Sequence, residues 1–132
     1  TLKKLKASGL VLGLISNTGL TSPSAYKTWL MRENIFELFT TLTFSNEVCL
    51  AKPKIEIFLN TLKKMQVAPQ QAIHVGDNLH TDIRGASNAG MFTAWIKGYD
   101  NRYDIVDPNY SISSVNELPK VLKHWEKLCS TQ

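Results

Sequence analysis

The sequence predicts an α/β protein in which a parallel β-sheet is covered by helices on both faces. Three observations lead there. Short apolar strands alternate with amphipathic helical segments, the order that parallel strands joined by right-handed crossovers produce. The clearest strand, Val11-Leu12-Gly13-Leu14-Ile15, is continuously apolar, as a strand buried on both faces should be. The 132 residues, 43% hydrophobic and 20% charged, suffice for one globular domain with its own core.

In chain order, the first strand ends at Ser16-Asn17-Thr18-Gly19. Ser22-Pro23 supplies an N-cap and a first-turn proline, and Tyr26, Trp29 and Leu30 follow at helical spacing, so a helix is expected from Pro23 to Asn34. Leu42 to Phe44 reads as a brief extended piece. Pro53 is expected to open a second helix whose Ile55, Phe58, Leu62 and Met65 form one apolar stripe. A strand follows at Gln71-Ala72-Ile73-His74-Val75 and runs into Gly76-Asp77. Asp82 is expected to begin the next helix, and Gly90 to end it in a left-handed conformation. Phe92 to Ile96 and Tyr110 to Ile112 complete the strands. Leu118, Val121, Leu122, Trp125 and Leu128 give a terminal helix its apolar face. The start of that helix has two signals, a Ser114/Glu117 capping box and Pro119, which prefers a first turn.

Fifteen lysines and arginines against eleven acidic residues give a net charge of +4. The basic residues are dispersed over polar helix faces, so no nucleic-acid partner is expected. Cys49 and Cys129 lack metal-site spacing and suggest reduced thiols. No apolar run approaches a membrane span, and Thr1 to Lys6 lead into no signal-peptide core; the expectation is a cytoplasmic protein with no membrane partner.

In an open parallel sheet, ligands sit beyond the carboxyl ends of the strands. Two strand ends carry chemistry. The first presents Ser16, Asn17 and Thr18 before a glycine turn, offering hydroxyl, amide and backbone N–H groups to an anion. The second presents Asp77 and, five residues on, Asp82; two such carboxylates repel unless a hard cation such as Mg²⁺ relieves them. Taken singly, Asp82 is most simply an N-cap and Lys52 a surface lysine. His74 is expected to be packed, His80 to be a plain loop residue, and Trp29, Trp95 and Trp125 to pack in the core.

The run from His74 to Met91, HVGDNLHTDIRGASNAGM, resembles the fourth motif of the haloacid dehalogenase superfamily. Leu14-Ile15-Ser16-Asn17 resembles the second, and Ala51-Lys52-Pro53 with Ile57-Phe58 the third. This resemblance implies a Rossmann-like core spanning residues 1–132 with no cap domain. It implies that Ser16 bonds the transferring phosphoryl group, that Lys52 neutralises nucleophile and phosphoryl charge, and that Asp77 with Asp82 holds Mg²⁺. Phosphoryl transfer is catalysed mainly by such positioning and neutralisation. The expected activity is hydrolysis of a small phosphorylated metabolite through an aspartyl-phosphate; the alternative is a non-catalytic module that binds phosphate or a protein. Dehalogenation is the other reaction the scaffold supports.

The family's first motif, an apolar strand ending in Asp-x-Asp, has no counterpart here, and Asp104-Ile105-Val106-Asp107 reads as loop. The missing strand would supply the nucleophile and lie mid-sheet, so the 132-residue chain alone is expected to be inactive and its sheet incomplete. Thr1 to Ser8 reads as the tail of a helix under way. A preceding segment or a second copy in a homodimer is expected to complete the sheet, or the sheet to be repaired by rearrangement.

Overall fold

The computed structural model describes residues 1–100 and 105–130, the last three as backbone only. Helix α1 (Leu2–Ala7) leads to β1 (Gly13–Ser16), α2 (Pro23–Arg32), β2 (Thr41–Phe44) and the single turn α3 (Ser45–Val48). Helix α4 (Ile55–Met65) and β3 (Ile73–Gly76) follow; a wide turn over Leu79–Arg84 then runs into α5 (Gly85–Asn88), β4 (Phe92–Ile96), β5 (Tyr110–Ile112) and α6 (Leu118–Ser130).

Local chemistry explains most boundaries. Ser22 Oγ accepts from the Ala25 amide at 3.3 Å and Pro23 opens α2. That helix stops at Arg32, short of the expected Asn34, which adopts φ 55. Pro53 does not open α4: its peptide bond is cis and the helix begins at Ile55. The stripe is turned accordingly. Ile57, Phe58, Thr61 and Leu62 are buried, and Ile55 faces solvent. Both signals before α6 are used: Ser114 caps a 3₁₀ turn over Val115–Glu117 while Glu117 Oε1 accepts from Ser113 N at 2.8 Å, and Pro119 sits in the first turn of α6.

Among the described residues all strand pairing is parallel, in two separate sheets. β1 pairs with β2 (Gly13 opposite Thr41), and β3 pairs with β4 (Ile73 opposite Phe92), which pairs with β5. β1 and β3 share no ladder, as a sheet lacking its central strand requires. Core forms on both faces. Leu5, Ala94, Ile112, Leu118 and Val121 cluster beneath α1 and α6; Ile57, Phe58, Ala86 and Ala89 cluster beneath α4 and α5. Each buried Leu, Ile, Val or Phe among them contributes about 1.5–3 kcal/mol by leaving water. Trp29 departs from expectation: α2 turns Leu30 inward and leaves Trp29 52% exposed. Among the described residues no helix is long and apolar enough to cross a membrane.

Candidate active site

The carboxyl ends of β1 and β3 meet around Asp82. This residue does not start its helix. Asn78 is the cap, accepting from Thr81 N at 2.8 Å, and the Ile83 amide reaches back five residues to the Asn78 carbonyl at 3.2 Å. The wide turn swings the Asp82 side chain inward, where it is 4% exposed. Its Oδ1 accepts from Lys52 Nζ at 2.5 Å and lies 3.1 Å from His74 Nε2; its Oδ2 accepts from Asn78 N at 3.2 Å. Gly76 makes room. A Cβ there would stand 2.3 Å from Asp82 Cγ.

Electrostatics fix the charge states. Burial disfavours a charged Asp82, but the His74 hydrogen bond and the Lys52 ammonium outweigh it and hold the carboxyl well below the usual carboxylate range. Burial lowers the His74 pKa more than Asp82 raises it, so the ring is neutral at pH 7. A carboxylate only accepts, so Nε2 carries the proton and donates it to Asp82. His74 is packed as expected, its ring edge-on to Phe58 at 5.1 Å, yet it also belongs to the site.

Lys52 joins the two strand ends. Its ammonium bonds the Ile15 carbonyl at 3.1 Å as well as Asp82, and Asn17 clamps its backbone through Nδ2 to Lys52 O (3.0 Å) and Lys52 N to Oδ1 (2.9 Å). The amide expected to face an anion thus holds Lys52 instead. Thr18 is buried at 3%, with its amide donating to Ser45 Oγ at 3.0 Å and its hydroxyl 3.2 Å from the same oxygen. Asn46 Nδ2 donates to the Gly19 carbonyl at 3.1 Å. Of the three residues on the β1 loop, Ser16 alone has a side chain in no hydrogen bond with a described residue.

Asp77 is exposed and no described group bonds its carboxylate, while its carbonyl accepts from Trp95 Nε1 at 2.8 Å. The expected residues therefore divide. Lys52 and Asp82 are in contact, Ser16 follows Ile15, whose carbonyl Lys52 bonds, and Asp77 follows Gly76, against which the Asp82 side chain packs. His74, Asn78, Ser45 and Trp95 are additional supports. Asn78 also donates to Asp100 at 2.5 Å. His80 is exposed and forms no part of these bonds with Asp82. Asp104 of the Asp104-Asp107 segment lies outside the described residues.

The donor set suits Mg²⁺. A carboxylate offers about four lone-pair sites, of which Lys52, His74 and Asn78 occupy three on Asp82, and no described group bonds the Asp77 carboxylate. Among the described residues no three acidic, histidine or cysteine side chains gather into a metal cage. Mg²⁺ commonly binds through one or two carboxylates and keeps several waters.

The haloacid dehalogenase-like hydrolase family model matches residues 1–96. The chain is 38% identical over 131 residues to a glyceraldehyde 3-phosphate phosphatase of Methanocaldococcus jannaschii, covering 96% of this chain and 55% of that protein. It superposes on a HAD phosphatase of Thermococcus onnurineus with TM-score 0.80 at 30% identity, over 92% of this chain and 54% of the other. A 2-haloacid dehalogenase of Pseudomonas syringae gives TM-score 0.77 at 30% identity, over 95% and 51%. The chain spans about half the length of the curated relatives it matches. With motif-bearing loops meeting at the carboxyl ends of the parallel strands β1 and β3, the chain belongs to the haloacid dehalogenase-like hydrolase family.

Proposed function

We propose that the complete protein is a Mg²⁺-dependent phosphatase acting on a small phosphorylated metabolite through an aspartyl-phosphate. The observation that carries this reading is Lys52, whose ammonium stands 2.5 Å from Asp82 and 3.1 Å from the carbonyl preceding Ser16. One fixed cation bonds groups at both strand ends, and phosphoryl transfer is catalysed largely by fixed positive charge of this kind. Ser16 donates its hydroxyl to a phosphoryl oxygen. Asn17 and Thr18 act one step back, holding Lys52 and the loop in place. Asp77, with Asp82 behind it, would hold Mg²⁺, which supplies charge neutralisation and orients the phosphoryl oxygens.

The nucleophile is an aspartate outside these 132 residues, since neither Asp77 nor Asp82 is suited to attack. Asp82 is tied by three donors and Asp77 is given to the cation. A dehalogenase would have no use for that cation, and the curated relatives named for phosphatase activity favour the phosphate ester. Three-carbon sugar phosphates are the first substrates to try, given the names of those relatives. The test is phosphate release by the complete protein. Chelation of Mg²⁺ should abolish it and re-addition restore it, and Lys52→Met should lower kcat by about 100-fold or more. Metal-independent turnover, or a Lys52→Met variant at the unaltered rate, refutes the proposal.

A further inference from the structure

His74 and Gly76 lie two residues apart on β3, so alternation places them on one face of the strand. On that face the Asp82 carboxyl fills the space that a side chain at 76 would take, its Cγ 2.3 Å from where a Cβ would stand. Its head group then meets the next position along the face, His74 Nε2, at 3.1 Å. Core packing does not require a histidine there. An apolar side chain would fill the place against Phe58 without burying a polar ring, and burial of that ring costs free energy unless it is hydrogen-bonded. A carboxylate only accepts, so Nε2 donates whether the ring is neutral or charged.

The acceptor atom decides what this bond does. Asp82 Oδ1 takes both the His74 N–H and the Lys52 ammonium, whereas Oδ2 has the Asn78 amide alone, at 3.2 Å. With Lys52 and Asn78 as its donors and no His74, the carboxyl would be free to turn about its Cβ–Cγ bond, whose torsional wells are broad, and would carry the ammonium with it. The His74 ring is fixed by its strand and by the Phe58 edge contact, so it fixes Oδ1 in turn. An ammonium has three N–H bonds. Among the described residues Asp82 Oδ1 and the Ile15 carbonyl take two, and the direction of the third follows from theirs. We propose that His74 is a positioning residue for phosphoryl transfer: its Nε2–H holds Asp82 Oδ1 and thereby aims the remaining N–H of Lys52 at the reacting phosphoryl group. This rests on the reading of Lys52 given above.

The test compares variants of the complete protein in phosphate release from glyceraldehyde 3-phosphate and from p-nitrophenyl phosphate, with Mg²⁺ saturating. His74→Gln keeps an N–H donor within reach of Asp82, and His74→Leu keeps apolar packing but has no donor. The Leu variant should turn over about 10- to 100-fold more slowly than the Gln variant, the loss that removing an outer support commonly brings. KM for the two should agree within about threefold, since the lost alignment acts in the transition state. Equal kcat in the two variants overturns the proposal, because a histidine that only packs would separate them in urea unfolding and not in turnover. A difference confined to KM overturns it as well. If His74→Leu does not fold, His74→Asn, whose amide ends one methylene short of Asp82, takes its place with the same ranking. Ring ¹⁵N spectra give a readout free of turnover. The wild-type Nε2–H should exchange slowly with water and shift in Lys52→Met, where the shared oxygen loses its other donor; a freely exchanging ring N–H overturns the proposal. Wild type that releases no phosphate from either ester, or Lys52→Met at the unaltered rate, sinks the phosphatase reading itself. Equal Gln and Leu variants beside a crippled Lys52→Met sink the role of His74 alone.

Discussion

Replacing Lys52 by methionine isolates the interaction that ties the two strand ends together. Methionine keeps most of the apolar stem and deletes the ammonium. Asp82 would retain His74 and Asn78 as donors but lose its cation, with a side chain only 5% exposed. Removing one partner of a buried pair costs about 3–5 kcal/mol, because the remaining charge stays buried and uncompensated. The lost bond to the Ile15 carbonyl lies within that figure. Urea unfolding at pH 7 measures it, since the midpoint falls at unchanged slope when stability alone changes. Asp82→Asn then closes a double-mutant cycle. If the cost is uncompensated charge, Lys52→Met with Asp82→Asn should be less destabilised than the sum of the single changes by at least about 1 kcal/mol. Strict additivity, or a Lys52→Met cost below about 1 kcal/mol, would refute the reasoning.

Two further outcomes follow from the same cluster. Gly76→Ala would set a Cβ 2.4 Å from Asp82 Cβ and 2.3 Å from its Cγ, so the Asp82 side chain must leave its place or the backbone must shift; a loss of at least about 3 kcal/mol is expected in urea unfolding, and a change under about 1 would contradict the close approach. Stability should also fall on acidification below about pH 6.5, because unfolded His74 binds a proton there and the buried, folded ring does not. The slope is up to about 1.4 kcal/mol per pH unit. A further decline sets in below pH 3.8, where unfolded Asp82 protonates and the folded carboxylate, with its lowered pKa, still does not. His74→Gln should remove the upper part of this profile, and an unchanged profile in that variant would exclude His74 as its source.

The strands were legible because their apolar runs are short and bounded by Gly, Pro and polar clusters; β4 and β5 carry the expected limits. The separation of β1 from β3 was legible from what the sequence lacks. The site was legible as a set of residues but less so as a set of roles. Spacing places Asp82 near a helix start but cannot distinguish an N-cap from a carboxylate turned inward by a five-residue hydrogen bond. Nor does it show that Asn17 spends its amide on Lys52. Ser45 and Trp95 reach the site from β2's end and from β4, through contacts 27 residues (to Thr18) and 18 residues (to Asp77) away in sequence, and no local pattern announces them. His74 was half legible: a polar residue inside an apolar strand signals a buried partner, without naming it. Trp29 was misplaced because helical spacing identifies a stripe and not which edge of it meets the core.

The gap in the backbone ladder has a mechanical consequence. Hydrogen-bonded continuity across a sheet is what ordinarily makes one half of an α/β domain melt with the other. Here the β1-β2 and β3-β4-β5 halves are coupled by side chains, through the Lys52–Asp82 pair and the seating of α4 against α5. Thermal transitions of the chain by itself should therefore be broad, with calorimetric and van't Hoff enthalpies diverging, and should sharpen when the ladder is made continuous.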